Sequence, residues 1–216
     1  MADYAVQRLN MVESQVRTND VTDVRIHLAM REILRERFVP GAKRALAYAE
    51  SVVEVVPGRF LLDPRTFSKL AQLAEITPAD TILDVACASG YSSAVLAQLG
   101  AKVIALEEDA ELVRIASDVL PTIGTNVTVV QGKLSDGYRA GAPYDVVFIN
   151  GAVETVPESL KAQLAEGGRL VAVIRKGPQG RAHVFVREHG RVGGRPDFDA
   201  NVPVLPGFRE PAGFVF

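Results

Sequence analysis

The stretch that most constrains this chain is Thr81–Tyr91, TILDVACASGY, taken with the run KVIALE that ends at Glu107. A short apolar segment (Ile82, Leu83, Val85) carries one acid, Asp84, near its end and passes into small residues. Ala94, Val95, Leu96 and Leu99 then recur at helical spacing, and a second apolar run closes on a second acid. Strand, tight turn, helix and strand in that order form the unit that presents a nucleotide-like ligand to the carboxyl ends of a parallel sheet.

The turn selects among such ligands. A dinucleotide fingerprint spaces its glycines as G-x-G-x-x-G, and read from Ala86 and Ala88 the third would fall on Tyr91. The spacing that fits is small-x-small-x-small, on Ala86, Ala88 and Gly90. Asp84 stands just before the turn, where a carboxylate repels a pyrophosphate and attracts an ammonium group. Glu107 follows at the distance where an acid accepts both hydroxyls of a ribose. A ribose, a cationic amino acid end and no phosphate describe S-adenosylmethionine. The competing reading is a βαβ unit that binds nothing, and two acids at ligand-facing positions weigh against it.

Beyond this unit the pattern is that of an alternating α/β chain. Residues from about 4 to 48 read as helices, with Asp20 or Thr22 as the cap of the second. Ser51–Val56 reads as a short β segment ended by Pro57–Gly58, and Asp63–Pro64 as a helix start. Strands are expected at 81–85, 102–106, 126–131, 144–149 and 168–174, with helices at 90–99, 109–120 and 157–165. His183–Glu188 and Gly207–Phe216 have strand character and flank a polar turn at Gly190–Pro196, so two closing strands would add an antiparallel edge. The expected fold is one three-layer α/β/α domain over residues 1–216, Rossmann-like, with a mostly parallel seven-stranded sheet. It divides into a helical segment (1–50), a cofactor-binding core (51–178) and edge strands (179–216). The order of the last two strands is not legible.

Composition narrows the function classes. With 216 residues, 48% of them hydrophobic, the chain can bury a full core. A net charge of −2 supplies no basic field to recruit nucleic acid. The single cysteine, Cys87, excludes an internal disulfide, fits a reducing cytoplasm, and without a nearby histidine reads as a packing residue. The opening MADYAVQRLN has no basic, apolar leader, and no apolar run reaches a membrane-spanning ~20 residues. His27, His183 and His189 lack metal-ligand spacing, so no metal is expected.

The chain also resembles the protein-L-isoaspartate (D-aspartate) O-methyltransferase family over nearly all of residues 9–178. Ala29-Met30, Arg35–Pro40 and Tyr48 resemble its entry segment, and Leu83–Tyr91 with Ala94–Ala97 its cofactor loop and following helix. Ala142–Asp145, Pro157, Leu160, Gln163-Leu164 and Gly167–Leu170 resemble its later core. The resemblance implies a class I fold and transfer of the methyl of S-adenosylmethionine to the misplaced α-carboxylate of isoaspartyl residues in peptides and proteins. It further implies Asp84 at the methionine end, backbone N–H groups of Ser89 and Gly90 on the cofactor, Glu107 on the ribose and Leu134 against adenine. Leu62 and Asn150 would line the methyl-transfer region.

Departures fall on the same loops. Leu62 stands where the family carries a serine, Ala86 and Ala88 replace two glycines, and Asn150 replaces a threonine. Alanine at the two loop positions is expected to keep φ negative. The family's Gly-Asp-Gly is here Gly132-Lys133-Leu134, with Ser135-Asp136-Gly137 close enough to restore an acid if the loop is reshaped. Two other readings therefore stand beside repair methylation: a regulatory protein that binds the cofactor without turnover, and a methyltransferase with a small-molecule acceptor.

Overall fold

The computed structural model describes residues 3–124 and 126–210. Its helices are α1 (Tyr4–Met11), α2 (Val24–Glu32), α3 (Pro64–Leu73), α4 (Tyr91–Leu96), α5 (Ala110–Val119) and the single turn α6 (Glu158–Lys161). Strands β1 (Val53–Val56) and β2 (Arg59–Leu61) form an antiparallel hairpin separate from the main sheet. The main sheet comprises β3 (Thr81–Val85), β4 (Lys102–Glu107), β5 (Val127–Gln131), β6 (Tyr144–Val153), β7 (Leu164–Arg175), β8 (Gly180–Glu188) and β9 (Arg191–Asp199). They lie in the order β5-β4-β3-β6-β7-β8-β9.

The first five of these run parallel, and β8 and β9 each pair antiparallel with the strand before them. The chain leaves β3 toward β4 on one side, and β6 returns to β3 on the other. This is the reversal of strand order outside which α/β sheets bind ligands. Asp84 lies near the end of β3 and Glu107 ends β4, so both expected acids reach the crevice from adjacent strands. In β6 every residue but Asp145 is buried, as a strand covered on both faces requires.

Local chemistry explains most element ends. Asp63 caps α3 through Thr66 N–H at 2.8 Å, with Pro64 in the first turn, and α3 buries Phe67, Leu70 and Ala71. The cap of α2 is Asp23, which accepts from Arg25 N–H at 2.9 Å, rather than Asp20 or Thr22. Asp20 is left-handed at φ 62°, and Thr22 donates its N–H to Gln72. The helix expected at 157–165 stops at Lys161 because the Gln163 carbonyl accepts from Tyr144 N–H at 2.8 Å, drawing the chain into β7.

The C-terminal third differs from expectation. Of the turn expected at Gly190–Pro196, only Gly190 belongs to a reversal, His189–Gly190, both at positive φ; Arg191–Pro196 lies within β9. An edge strand exposed along most of its length has little apolar surface to bury, so its composition resembles a loop. Of the expected strand at Gly207–Phe216, residues 207–210 are irregular, and the rest lies outside the described residues. Among the described residues no helix is long and apolar enough to cross a membrane.

Candidate active site

The turn after β3 is held from β4. Ala86 and Cys87 both donate their N–H groups to the Leu106 carbonyl, at 2.9 and 3.2 Å, and Ala88 N–H donates to Glu107 Oε2 at 2.9 Å. These bonds impose left-handed backbone on both alanines, φ 64° at Ala86 and 52° at Ala88, contrary to the expected negative φ. Each carries a cost of about 1–2 kcal/mol that glycine would not incur. Gly90, at φ 98°, has no such alternative: a Cβ there would also meet Leu120 at 3.0 Å. Gly90 N–H is already committed to the Cys87 carbonyl at 2.9 Å, and the Ser89 hydroxyl donates to the Phe38 carbonyl at 2.6 Å.

Asp84 is fully buried and is held by its own neighbours. The hydroxyls of Ser92 and Ser93 donate to Oδ2 at 2.7 and 2.5 Å, and the Asn150 amide donates to Oδ1. Burial pushes its pKa up to about 7, against the pull of these three donors. The same burial, with Asp84 and Glu107 nearby, pushes the Cys87 thiol well above its ordinary range, so no thiolate nucleophile forms.

Glu107 is equally enclosed. Arg59, from β2, forks onto both carboxylate oxygens, Nη1 to Oε1 at 2.7 Å and Nη2 to Oε2 at 2.6 Å. The side chains are 7% and 0% exposed. Glu108 and Asp109 N–H groups add bonds to Oε1 at 2.8 and 3.1 Å. The expected adenine residues separate. Leu134 is buried in the core, whereas the Lys133 ammonium points outward and lies 3.9 Å from Asp136. Asp136 faces solvent and does not restore the missing acid. Its loop is pinned by Gln163, which donates to the Asp136 carbonyl and fills the space beside Gly137.

Leu62 and Asn150, expected to line the methyl-transfer region, do converge on one enclosed cavity of about 10 Å³, with Phe60, Tyr91 and Arg35. This is room for about one water molecule. Arg35 is completely buried; its Nε donates to the Ala47 carbonyl and its Nη2 to the Leu62 carbonyl, both at 2.7 Å. The guanidinium lies 4.5 Å from the centre of the Tyr91 ring. Arg35 Nη1 and the Tyr91 hydroxyl have no partner among the described residues. Phe60 also lines an adjoining open cleft of about 720 Å³, with Glu154, Arg175, Val204 and Arg209.

Sequence reasoning missed Arg59, Ser92 and Ser93, and assigned no role at the cavity to Arg35 or Tyr91. The serines had a local signal, two hydroxyls in the first turn of α4 directly after the expected ligand loop. Arg59 had only an arginine between Gly58 and the apolar Phe60-Leu61-Leu62, which marks a buried cation once β2 is known to exist. Against S-adenosylmethionine, the residues fit in kind, with two acids beside a tight turn. In the arrangement seen they do not fit in geometry, because the Glu107 carboxylate, expected on the ribose, is already saturated. Among the described residues no group of three His, Cys, Asp or Glu side chains could hold a metal ion.

The family profile and the curated relatives point to one family. The sequence profile of the protein-L-isoaspartate(D-aspartate) O-methyltransferase (PCMT) family matches residues 7–199. The protein-L-isoaspartate O-methyltransferase of Koribacter versatilis is 34% identical over 193 residues, 89% of this chain and 87% of that protein. That of Protochlamydia amoebophila is 37% identical over 165 residues, 76% of this chain and 79% of that protein. A solved protein-L-isoaspartate O-methyltransferase superposes with a TM-score of 0.80 at 23% identity, over 93% of this chain and 66% of its own. A Plasmodium falciparum beta-aspartate methyltransferase (PCMT) structure, in complex with S-adenosyl-L-homocysteine, gives 0.79 at 18% identity, over 92% and 97%. At these identities the two structures establish a shared fold.

Proposed function

Since this chain belongs to the protein-L-isoaspartate (D-aspartate) O-methyltransferase family, we propose that it methylates the α-carboxylate of isoaspartyl residues with S-adenosylmethionine as donor. The observation that carries the reading is the extent of the match, which runs from α1 through β9 and so includes both the turn after β3 and the acceptor side. Asp84, Glu107 and the Ala86–Gly90 turn form the cofactor side, with Leu134 beneath it and Lys133 at its rim. Leu62 and Asn150 form the acceptor side, and the whole chain acts as one catalytic unit in the cytoplasm.

The acceptor is a carboxylate ionised at neutral pH, so the protein need not supply a general base. Its contribution is alignment and exclusion of water, which suits a site walled by Leu62, Phe60 and Tyr91. The open cleft beside Phe60, with Arg175 and Arg209 on its walls, favours a carboxylate-bearing peptide over an enclosed small molecule.

The test is methyl transfer from labelled S-adenosylmethionine to a synthetic isoaspartyl peptide, with the aspartyl peptide as control. Base-labile label on the isoaspartyl peptide alone is expected. Label on neither peptide, with enzyme and cofactor in excess, would overturn the assignment.

A further inference from the structure

Glu107 accepts five hydrogen bonds from its own chain: two from Arg59 and one each from the N–H groups of Ala88, Glu108 and Asp109. Two carboxylate oxygens offer about four lone-pair sites. Nothing remains for a pair of ribose hydroxyls, and the side chain is 0% exposed. The backbone donors come from the turn and from the start of α5, which any occupant of the crevice would leave in place. Arg59 is the one donor of the set that is a side chain, and its Nε has no partner among the described residues, so Glu107 is its principal hold. Its strand is paired only with β1, through Val53–Leu61, Glu54–Phe60 and Val56–Arg59, and not with the seven-stranded sheet. The hairpin can therefore shift without breaking the main ladder.

Resting on the function proposed above, we infer that Arg59 is an internal occupant of the ribose anchor, and that the cofactor binds by exchange with it. The guanidinium and the ribose hydroxyls need the same two oxygens. A forked, charge-assisted pair is stronger than two bonds from neutral hydroxyls, so the exchange disfavours the ligand. A protein whose competent form is a small fraction of the population binds with its dissociation constant raised by the inverse of that fraction. Arg59 thus sets cofactor affinity without touching the reacting atoms. Phe60, next to Arg59 in β2, lines both the cavity beside Leu62 and the open cleft, so the strand that closes the ribose anchor also walls the acceptor side.

The experiment is calorimetric titration of S-adenosyl-L-homocysteine into wild type, Arg59→Ala and Arg59→Gln, with a thermal melt of each protein alone. Both variants should melt lower than wild type yet bind at least tenfold more tightly. A merely structural ion pair would lower both quantities together. Arg59→Gln keeps a polar side chain of moderate length and serves where Arg59→Ala does not fold. If the folded variants bind, but no more tightly than wild type, the competition is overturned and the cofactor reading stands. If neither wild type nor any folded variant binds at millimolar ligand, the cofactor reading falls, and the inference with it.

Discussion

At the end of β4 the Glu107 carboxylate accepts five bonds from its own chain, whereas in the cavity beside Leu62 the Arg35 Nη1 and Tyr91 hydroxyl have no partner among the described residues. Both regions are buried, and both belong to the proposed active site. A buried polar group left unpaired costs about 1–3 kcal/mol, so orphaned donors favour whatever can supply an acceptor, water first. A saturated carboxylate has the opposite character. It stabilises the crevice as it stands and resists any ligand that needs the same lone pairs. The cavity beside Leu62 is thus poised to take a partner, and Glu107 must give one up before it can take another.

The largest expected effect tests whether the Glu107 cluster stabilises the fold. Glu107→Ala leaves Arg59 buried without its carboxylate, and breaking such a pair costs about 3–5 kcal/mol. Denaturant unfolding should show a loss of that size; a loss under about 1 kcal/mol would mean that Arg59 relocates to solvent at little cost. The same variant removes the ribose acceptor and should weaken any residual cofactor binding at least tenfold.

Asp84 provides the next test, since it is buried without a cation of its own. Its folded pKa, about 7, lies above the unfolded value near 3.8, so the folded protein keeps a proton that the unfolded chain has lost. Its effect on stability is therefore most favourable below pH ~4, declines as pH rises toward 7, and is constant above. The decline is on the order of 4 kcal/mol for a shift of this size. Comparing wild type with Asp84→Asn across that window should show the difference in unfolding free energy growing in the variant's favour. A pH-independent difference would show that the carboxyl group ionises normally.

Smaller effects come from the departures on the two sides. Leu62→Ser restores a hydroxyl to the cavity, and a hydrogen bond that orients the acceptor is worth about 1–3 kcal/mol, roughly tenfold to a hundredfold in rate. A rise in kcat on the isoaspartyl peptide is expected, and an unchanged kcat would mean that Leu62 does not face the acceptor. Ala86→Gly and Ala88→Gly relieve left-handed strain of about 1–2 kcal/mol but lose part of it to glycine's chain entropy. Each should raise stability by about 0.5–1 kcal/mol, read as a higher melting temperature. A lower one would mean that the alanine methyl groups contribute more through packing than their φ costs.

What the sequence by itself determined was the frame. The apolar runs that close on Asp84 and Glu107, the small residues after the first and the cap at Asp63–Pro64 are patterns among near neighbours in the chain, so strand, turn and helix could be placed from them. The family resemblance singled out Leu62 and Asn150, and both line one small cavity. Tertiary structure decided everything that depends on partners distant in sequence. Arg59 lies 48 residues from Glu107, Arg35 lies 27 from Leu62, and Asn150 lies 66 from Asp84. No periodicity encodes such pairings, because a side chain's alternation gives its face and not what stands opposite. The edge strand β9 was hidden for the converse reason: with little to bury, it carries almost no pattern. The two alanines were misread because a dihedral preference of one or two kcal/mol yields to three hydrogen bonds, two to the Leu106 carbonyl and one to the Glu107 carboxylate, that form only when β4 lies alongside.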